Sequence, residues 1–174
     1  MELEGKRCVV VGGGEVAGRK ARKLLQSRAR VKVVSPEVGP ALESIAAEVL
    51  RRPYELGDLR GAALAFAATD VREVNAAVSR EARELGVPVN VADLPEEGDF
   101  ALPSTLRRGR LQVAVSTGGA SPGLARRVRD ELEGLFAPGW SGLVEELYAA
   151  RKGGRGADER LEGKVRRCLS QLRG

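Results

Sequence analysis

The feature that most constrains this chain is an apolar run, Cys8-Val9-Val10-Val11, that stops at three glycines, Gly12-Gly13-Gly14. A helical pattern begins at once with Glu15-Val16-Ala17-Gly18. A strand, a turn without side chains and a helix start, in that order, leave backbone amides and the positive end of a helix free to meet a phosphate. Gly12, Gly14 and Ala17 fit the spacing G-x-G-x-x-G/A, in which the first glycine makes the tight turn. The second lets a pyrophosphate approach, and the small third residue packs helix on strand. A plain structural turn is the competing reading, and the position between strand and helix weighs against it. A mononucleotide phosphate loop fits worse. Gly13 and Gly18 have its spacing, but Arg19-Lys20-Ala21 follows where Lys and then Ser or Thr are required.

The alternation continues downstream. Lys6 to Val11 reads as a buried strand, and Glu15 to Arg28 as a helix with Val16, Leu24 and Leu25 inward. Val31 to Val34 is the second strand, closed by Ser35-Pro36. Pro40 to Val49 reads as a short helix, Val49 to Arg52 as a third strand, and Tyr54 to Gly61 as a loop. Ala62 to Ala68 is the fourth strand. Asp70 is placed to cap a helix from Val71 to Leu85 with Val74, Ala77, Val78 and Leu85 inward. Pro88 to Val91 is the fifth strand, followed by Ala92-Asp93. Strands and helices in this rhythm predict an α/β fold, a Rossmann-like parallel sheet with helices on both faces. Ligands then bind outside the carboxyl ends of the strands, where Gly12 to Val16, Ser35, Thr69, Asp70, Asn90 and Asp93 converge.

After Gly98 the texture changes. Phe100 to Arg107 and Leu111 to Ser116 read as a hairpin joined at Arg108-Gly109. Thr117-Gly118-Gly119-Ala120-Ser121-Pro122 leads into a helix with Leu124, Val128, Leu132 and Leu135 at helical spacing, Ser121 as N-cap and Arg126, Arg127 and Arg129 outward. Two amphipathic stretches follow Pro138-Gly139, separated by a linker at Gly153-Gly154-Arg155-Gly156. The expected division is a dinucleotide-binding domain at 1–98, a hairpin-plus-helix segment at 99–136 and a short helical C-terminal region at 137–174.

Composition narrows the chemistry. Histidine is absent, which excludes Ser-His and Cys-His nucleophiles and every metal site built on imidazole; no metal site is expected. Aromatics are 3% of 174 residues, which argues against base stacking, and the net charge of +5 suits an acidic partner, a nucleic acid or equally a small polyanion. With neither an aromatic platform nor a recognisable reading helix, no nucleic-acid partner is expected. No apolar run is long enough to cross a membrane, and no membrane partner is expected. Two distant cysteines, Cys8 and Cys168, read as reduced packing residues of a cytoplasmic protein.

Taken jointly, the motifs resemble a known family. They are Gly-Gly-Gly-Glu-Val-Ala-Gly-Arg-Lys-Ala at 12–21, Ala-Thr-Asp at 68–70 with Asn75, Asn-Val-Ala-Asp at 90–93, Phe100 and Pro103. The last is Val-Ser-Thr-Gly-Gly-Ala-Ser-Pro at 115–122, followed by Leu124-Ala125-Arg126. From about residue 3 to 136 the chain is similar to precorrin-2 dehydrogenase/sirohydrochlorin ferrochelatase, the N-terminal half of siroheme synthases. The resemblance implies oxidation of precorrin-2 to sirohydrochlorin with NAD in siroheme biosynthesis, with ferrous iron insertion in some members. It also implies a homodimer intertwined through the segment after the nucleotide domain. By the same resemblance Asp93 is the key active-site residue. Glu15, Val16 and the residues around Pro36 and Glu37 contact the cofactor, and Ser121 lies at the tetrapyrrole pocket. Ending at Gly174, the sequence is expected to lack the methyltransferase half of the longer enzymes.

The chemistry can be reached from the residues as well. Removing a hydride from a reduced tetrapyrrole leaves a cation unless a proton also departs, so a base beside the nicotinamide is useful, and Asp93 ends a central strand. Its competing reading is a loop aspartate satisfying backbone amides. Gly12, Gly14, Glu15, Val16, Ser35, Pro36, Glu37 and Thr69 are the expected cofactor contacts. Ser35 and Pro36 occupy the place where NAD proteins often carry an acid, and Glu37 just beyond favours NAD over NADP, its competing reading being the start of the next helix. Asn90, Gly118, Gly119, Ser121 and Arg126 are the expected contacts to a polycarboxylate substrate, with Arg107, Arg108, Arg110, Arg127 and Arg129 as further basic candidates. Iron insertion stays open, with Asp93 doing most of the work and Asp70 or Asp99 assisting. The alternative function is a non-catalytic NAD-sensing module of a channel or transporter. Such a module needs the glycine fingerprint but no Ser-Thr-Gly-Gly-x-Ser-Pro turn.

Overall fold

The computed structural model describes residues 1–154 and 156–172, so Arg155 of the expected linker lies outside the described residues. Its contacts divide the chain into two compact units, Met1–Ala101 and Leu102–Gly174.

The first unit is a five-stranded parallel sheet in the order β3-β2-β1-β4-β5. The strands are β1 Arg7–Val11, β2 Arg30–Val34, β3 Glu48–Leu50, β4 Leu64–Ala67 and β5 Val89–Val91. The helices are α1 Glu15–Leu25, α2 Pro40–Glu43 and α3 Arg72–Leu85. Apolar runs form the central strands because both faces of the sheet are covered. Val9, Val11, Ala65, Ala67, Val89 and Val91 pack with Val78 and Ala82 of α3 and with Leu59 of the β3–β4 crossover, all buried. Alternation sends Cys8 and Val10 to the opposite face, where α1 lies over β1 and β2 through Ala17, Ala21 and Leu24. Cys8 is fully buried, and that burial pushes its thiol up to about 11, so it is an inert packing residue.

Several local expectations are corrected. The first helix ends at Leu25, short of Arg28, whose φ of 54° closes the turn into β2. Val16 is not inward but 36% exposed, because the buried face of α1 is made by its small residues Ala17, Gly18 and Ala21. Leu85 likewise lies outward at 43% exposure, since Asn75, Val78, Ser79, Glu81 and Ala82 form the buried stripe of α3. The helix after Pro40 is a single turn, with β3 beginning at Glu48. Asp70 makes no cap; Val71 is the N-cap residue of α3, and no side chain accepts a hydrogen bond from the first-turn amides.

The crossover from β3 to β4 has no regular structure, yet it is tightly held. Asp58 accepts both guanidinium nitrogens of Arg52, at 2.8 and 2.7 Å, and the Glu55 amide at 3.0 Å, with Lys32 of β2 3.6 Å away. Glu81 of α3 accepts the Gly57 amide at 2.8 Å and the Tyr54 hydroxyl at close range.

The second unit holds an antiparallel hairpin, β6 Ser104–Arg108 with β7 Leu111–Val115, in register Leu106↔Val113. Three helices follow: α4 Pro122–Leu135, α5 Gly139–Lys152 and α6 Glu159–Ser170. Ser121 caps α4 as expected, its hydroxyl accepting the Leu124 amide at 3.2 Å. The apolar stripe of α4 is not covered. Leu124, Val128 and Leu135 are 53, 39 and 42% exposed, and Ala125 is the residue of this helix that is buried. Helices α5 and α6 are joined by Glu146, which meets Lys164 at 2.5 Å and Arg160 at 3.0 Å.

Candidate functional site

Because the five strands run parallel, the residues that follow them meet at one edge of the sheet, and the backbone ladder reaches that edge without a break. The Ser35 amide donates to Leu50, Gly12 to Val34, Ala68 to Val11 and Ala92 to Ala67. The glycine turn, Ser35, Thr69 and Asp93 are thereby held one or two residues beyond their strands. Asn90 differs, since it lies within β5, and β5 is an edge strand of the sheet, not the central strand expected to carry Asp93 at its end.

The three glycines have three different reasons to be glycine. Gly12 has φ +124°, and a Cβ there would stand 2.2 Å from the Ala68 carbonyl oxygen. At Gly13 a Cβ would meet the Glu37 carbonyl oxygen at 1.7 Å and Ser35 Oγ at 2.9 Å, so the turn is pressed against the chain leaving β2. Around Gly14 a Cβ would meet nothing within 4 Å. Gly14 is also the N-cap of α1, where no side chain accepts a hydrogen bond from the first-turn amides. Packed on its inner side, open on its outer side and uncapped, this cradle fits a pyrophosphate. Glu15, paired with Arg19 at 2.7 Å, and exposed Val16 flank the opening. Ser35 is buried, whereas Pro36 and Glu37 are exposed.

Thr69 is committed to its own loop. Its hydroxyl lies 2.8 Å from Asn75 Oδ1 and 3.2 Å from the Val71 amide that it accepts. Asn75, fully buried on α3, also accepts the Thr69 amide at 3.1 Å and donates to the Thr69 carbonyl at 3.0 Å. The loop after β4 is therefore fixed by a side chain of the helix that follows it.

Asp93 is one-third exposed, with Arg72 Nη1 3.6 Å from its Oδ2. Arg72 is bound more closely to Glu97. Asn90 donates from Nδ2 to the Phe100 carbonyl at 2.8 Å, and its Oδ1 is buried with no partner among the described residues. Asp99 is not free to assist at the site. Its Oδ2 accepts the Val89 amide and its own amide donates to the Val89 carbonyl, both at 2.8 Å.

The remaining expected residues belong to the second unit. Between β7 and α4, Gly118 and Gly119 have φ of 60° and 88°, conformations that favour glycine. Thr117 Oγ1 accepts the Ser121 amide at 3.0 Å and lies 3.1 Å from the Ser121 carbonyl, which folds this turn onto itself. The arginines sort into two groups. Arg108 and Arg129 pair with Glu133, and Arg110 pairs with Glu145 while stacking 3.7 Å from the Tyr148 ring centre. Arg107, Arg126 and Arg127 are exposed and make no ion pair among the described residues.

Sequence reasoning assigned no role to Gly13, Arg72 or Asn75. Arg72 had a signal, because a cation in the first turn of a helix opposes the helix dipole and needs another reason to be there. Among the described residues no three Cys, Asp or Glu side chains group to hold a metal ion, and no helix is long and apolar enough to cross a membrane.

Residues 1–104 match the family described as "Putative NAD(P)-binding", and residues 108–135 match the central segment of sirohaem biosynthesis proteins. The chain is 44% identical over 159 residues to a siroheme synthase of Nitrosomonas europaea, covering 87% of this chain and 32% of that protein. It is 42% identical over 175 residues to the siroheme synthase of Azotobacter vinelandii, covering 98% of this chain and 35% of that protein. It thus spans about a third of the length of these relatives. Among solved structures it is similar to SirC, a precorrin-2 dehydrogenase, with a TM-score of 0.74 and 28% identity over 99% of this chain and 96% of that one.

Proposed function

Starting from a chain that belongs to the family described as "Putative NAD(P)-binding" and matches the central segment of sirohaem biosynthesis proteins over residues 108–135, we propose that it oxidises precorrin-2 to sirohydrochlorin with NAD as the hydride acceptor. The observation that carries this reading is the sheet edge, where an open, uncapped glycine cradle and an exposed carboxylate are held by one continuous ladder. Similarity to a precorrin-2 dehydrogenase along nearly the whole chain supports the substrate. The relatives described above favour this enzyme over a sensor module of a channel.

When bound, the dinucleotide supplies a two-electron acceptor that takes a hydride from a ring carbon. Gly12, Gly13 and Gly14, with the first turn of α1, hold its pyrophosphate, and Glu15 and Val16 flank it. Ser35, Pro36 and Glu37 meet the adenosine ribose, and the Glu37 carboxylate favours a free 2′-hydroxyl over a phosphate. Thr69 shapes the cofactor side of the site through its backbone, its hydroxyl being held by Asn75. Asp93 takes the proton that leaves as the hydride departs, so the substrate loses one hydride and one proton and remains uncharged at the reacting carbon. Asn90 acts by fixing the Phe100 segment. Gly118, Gly119, Ser121 and Arg126 receive the carboxylate arms of the substrate, with Arg107 and Arg127 as further unpaired cations.

The protein acts as a cytoplasmic homodimer in this reading, joined through the 99–136 segment. The uncovered apolar stripe Leu124, Val128 and Leu135 supports that assembly, because such a stripe is normally covered by a partner.

Anaerobic absorbance spectroscopy with precorrin-2 and NAD tests the function. The sirohydrochlorin spectrum is expected with wild-type protein and NAD, and an Asp93→Ala variant is expected to lose it while still binding NAD. No spectrum with wild-type protein that binds NAD overturns the reading. Ferrous iron added to the same cuvette assays metal insertion.

A further inference from the structure

Helix α3 begins with a side chain of the wrong sign. Arg72 stands in its first turn, at the positive end of the helix dipole, where a cation is disfavoured. Two carboxylates compensate. Glu97 pairs closely with Nη2, and Asp93 Oδ2 faces Nη1 across 3.6 Å, beyond hydrogen-bond length. Nη1 is buried and lacks a hydrogen-bond partner among the described residues, although the side chain as a whole is 39% exposed. An N–H hidden from water with no acceptor is an unfavourable state, and it is relieved when an acceptor approaches.

The same face of α3 grips the turn that carries Asp93. Ser79 Oγ donates to the Glu97 carbonyl at 2.8 Å, and Arg83 Nη2 donates to it at 3.1 Å. The turn is thus fastened to the helix at Glu97 by both backbone and side chain. Asp93 is not fastened; it has a donor waiting within reach.

We propose that Arg72 is a positioning residue for Asp93. One nitrogen of its planar fork is anchored on Glu97, and the other closes onto Asp93 Oδ2 and sets the direction in which the carboxylate meets substrate. This rests on the reading of Asp93 as the proton acceptor. A lysine carries one compact ammonium and cannot present two fixed donors to two carboxylates.

The test compares wild-type protein with Arg72→Ala, Arg72→Lys, Asp93→Ala and, as a control on the exposed side of α3, Arg80→Ala. Turnover of precorrin-2 with NAD is measured with and without added guanidinium, and amide hydrogen exchange is followed by mass spectrometry. Arg72→Ala is expected to lower kcat about 10- to 100-fold with little change in KM for NAD. Guanidinium is expected to restore part of that rate in Arg72→Ala and none in Asp93→Ala. Arg72→Lys should stay well below wild type, and Arg80→Ala should match it. Exchange should rise at residues 93–97 and stay unchanged in β1 and α1. Wild-type kcat in Arg72→Ala, beside an inactive Asp93→Ala, overturns the positioning role and leaves the proposed function standing. A lost rate that guanidinium does not restore, with exchange raised throughout α3 and the sheet, reduces Arg72 to structural support and also overturns it. Full activity in Asp93→Ala, or no turnover by wild type, overturns the premise and this inference with it.

Discussion

Gly13 and Gly14 are neighbours with opposite tolerances. A methyl at Gly13 would lie 1.7 Å from a backbone oxygen, whereas at Gly14 it would meet nothing. Gly13→Ala is therefore expected to destabilise the fold by about 1–3 kcal/mol, the usual cost of overpacking. Thermal unfolding followed by circular dichroism reads this loss. Gly14→Ala is expected to melt with wild type and to weaken NAD binding, which calorimetric titration checks. The fingerprint made Gly12 and Gly14 legible in the sequence. It was silent on Gly13, because the constraint comes from Glu37 beyond β2 and no local pattern encodes that approach. Arg72 carried a signal in its sign at the helix start, but its two acids lie past β5, so its partners could not be read from local pattern.

At the scale of elements, α3 organises the site. Asn75 fixes the loop after β4, while Arg72, Ser79 and Arg83 hold the turn after β5. Asn75→Ala leaves the Thr69 amide without its acceptor and should cost about 1–3 kcal/mol, measured by chemical denaturation. The β3–β4 crossover gives a pH prediction. Burial by itself would raise the Asp58 carboxyl, but the Arg52 bonds, the Glu55 amide and the charges of Arg52 and Lys32 outweigh it and hold the group below its usual value. A depressed carboxyl stabilises the fold above its unfolded value of about 3.9 and loses that contribution as pH falls through the folded value. The stability gap between wild type and Asp58→Asn, read from urea unfolding, is expected to be widest near neutral pH and to shrink under strong acid. Periodicity revealed the strands and α3. It could not reveal this crossover, whose Leu59 and Asp58 are buried without any repeating pattern.

For the whole molecule, the two units differ in how well they cover their apolar residues. The first buries both faces of its sheet; the second leaves Leu124, Val128 and Leu135 in the open. Helical spacing in the sequence marked that stripe, but a periodic pattern shows an apolar face and not what covers it. Leu124→Asp with Val128→Asp is expected to halve the mass seen in sedimentation velocity while NAD binding persists. A monomeric wild-type protein would refute the dimer. The sheet has a further property at its β5 edge. A bare edge strand offers amides and carbonyls to any passing chain and so invites fibre growth. Here Asp99 takes both the Val89 amide and the Val89 carbonyl, and Gly98 runs so close that a Cβ would stand 3.0 Å from the same oxygen. Segment 98–99 thus acts as a stopper on this edge, and a chain in which it came loose would be prone to stack on its neighbours in concentrated solution, even with every strand of the sheet intact.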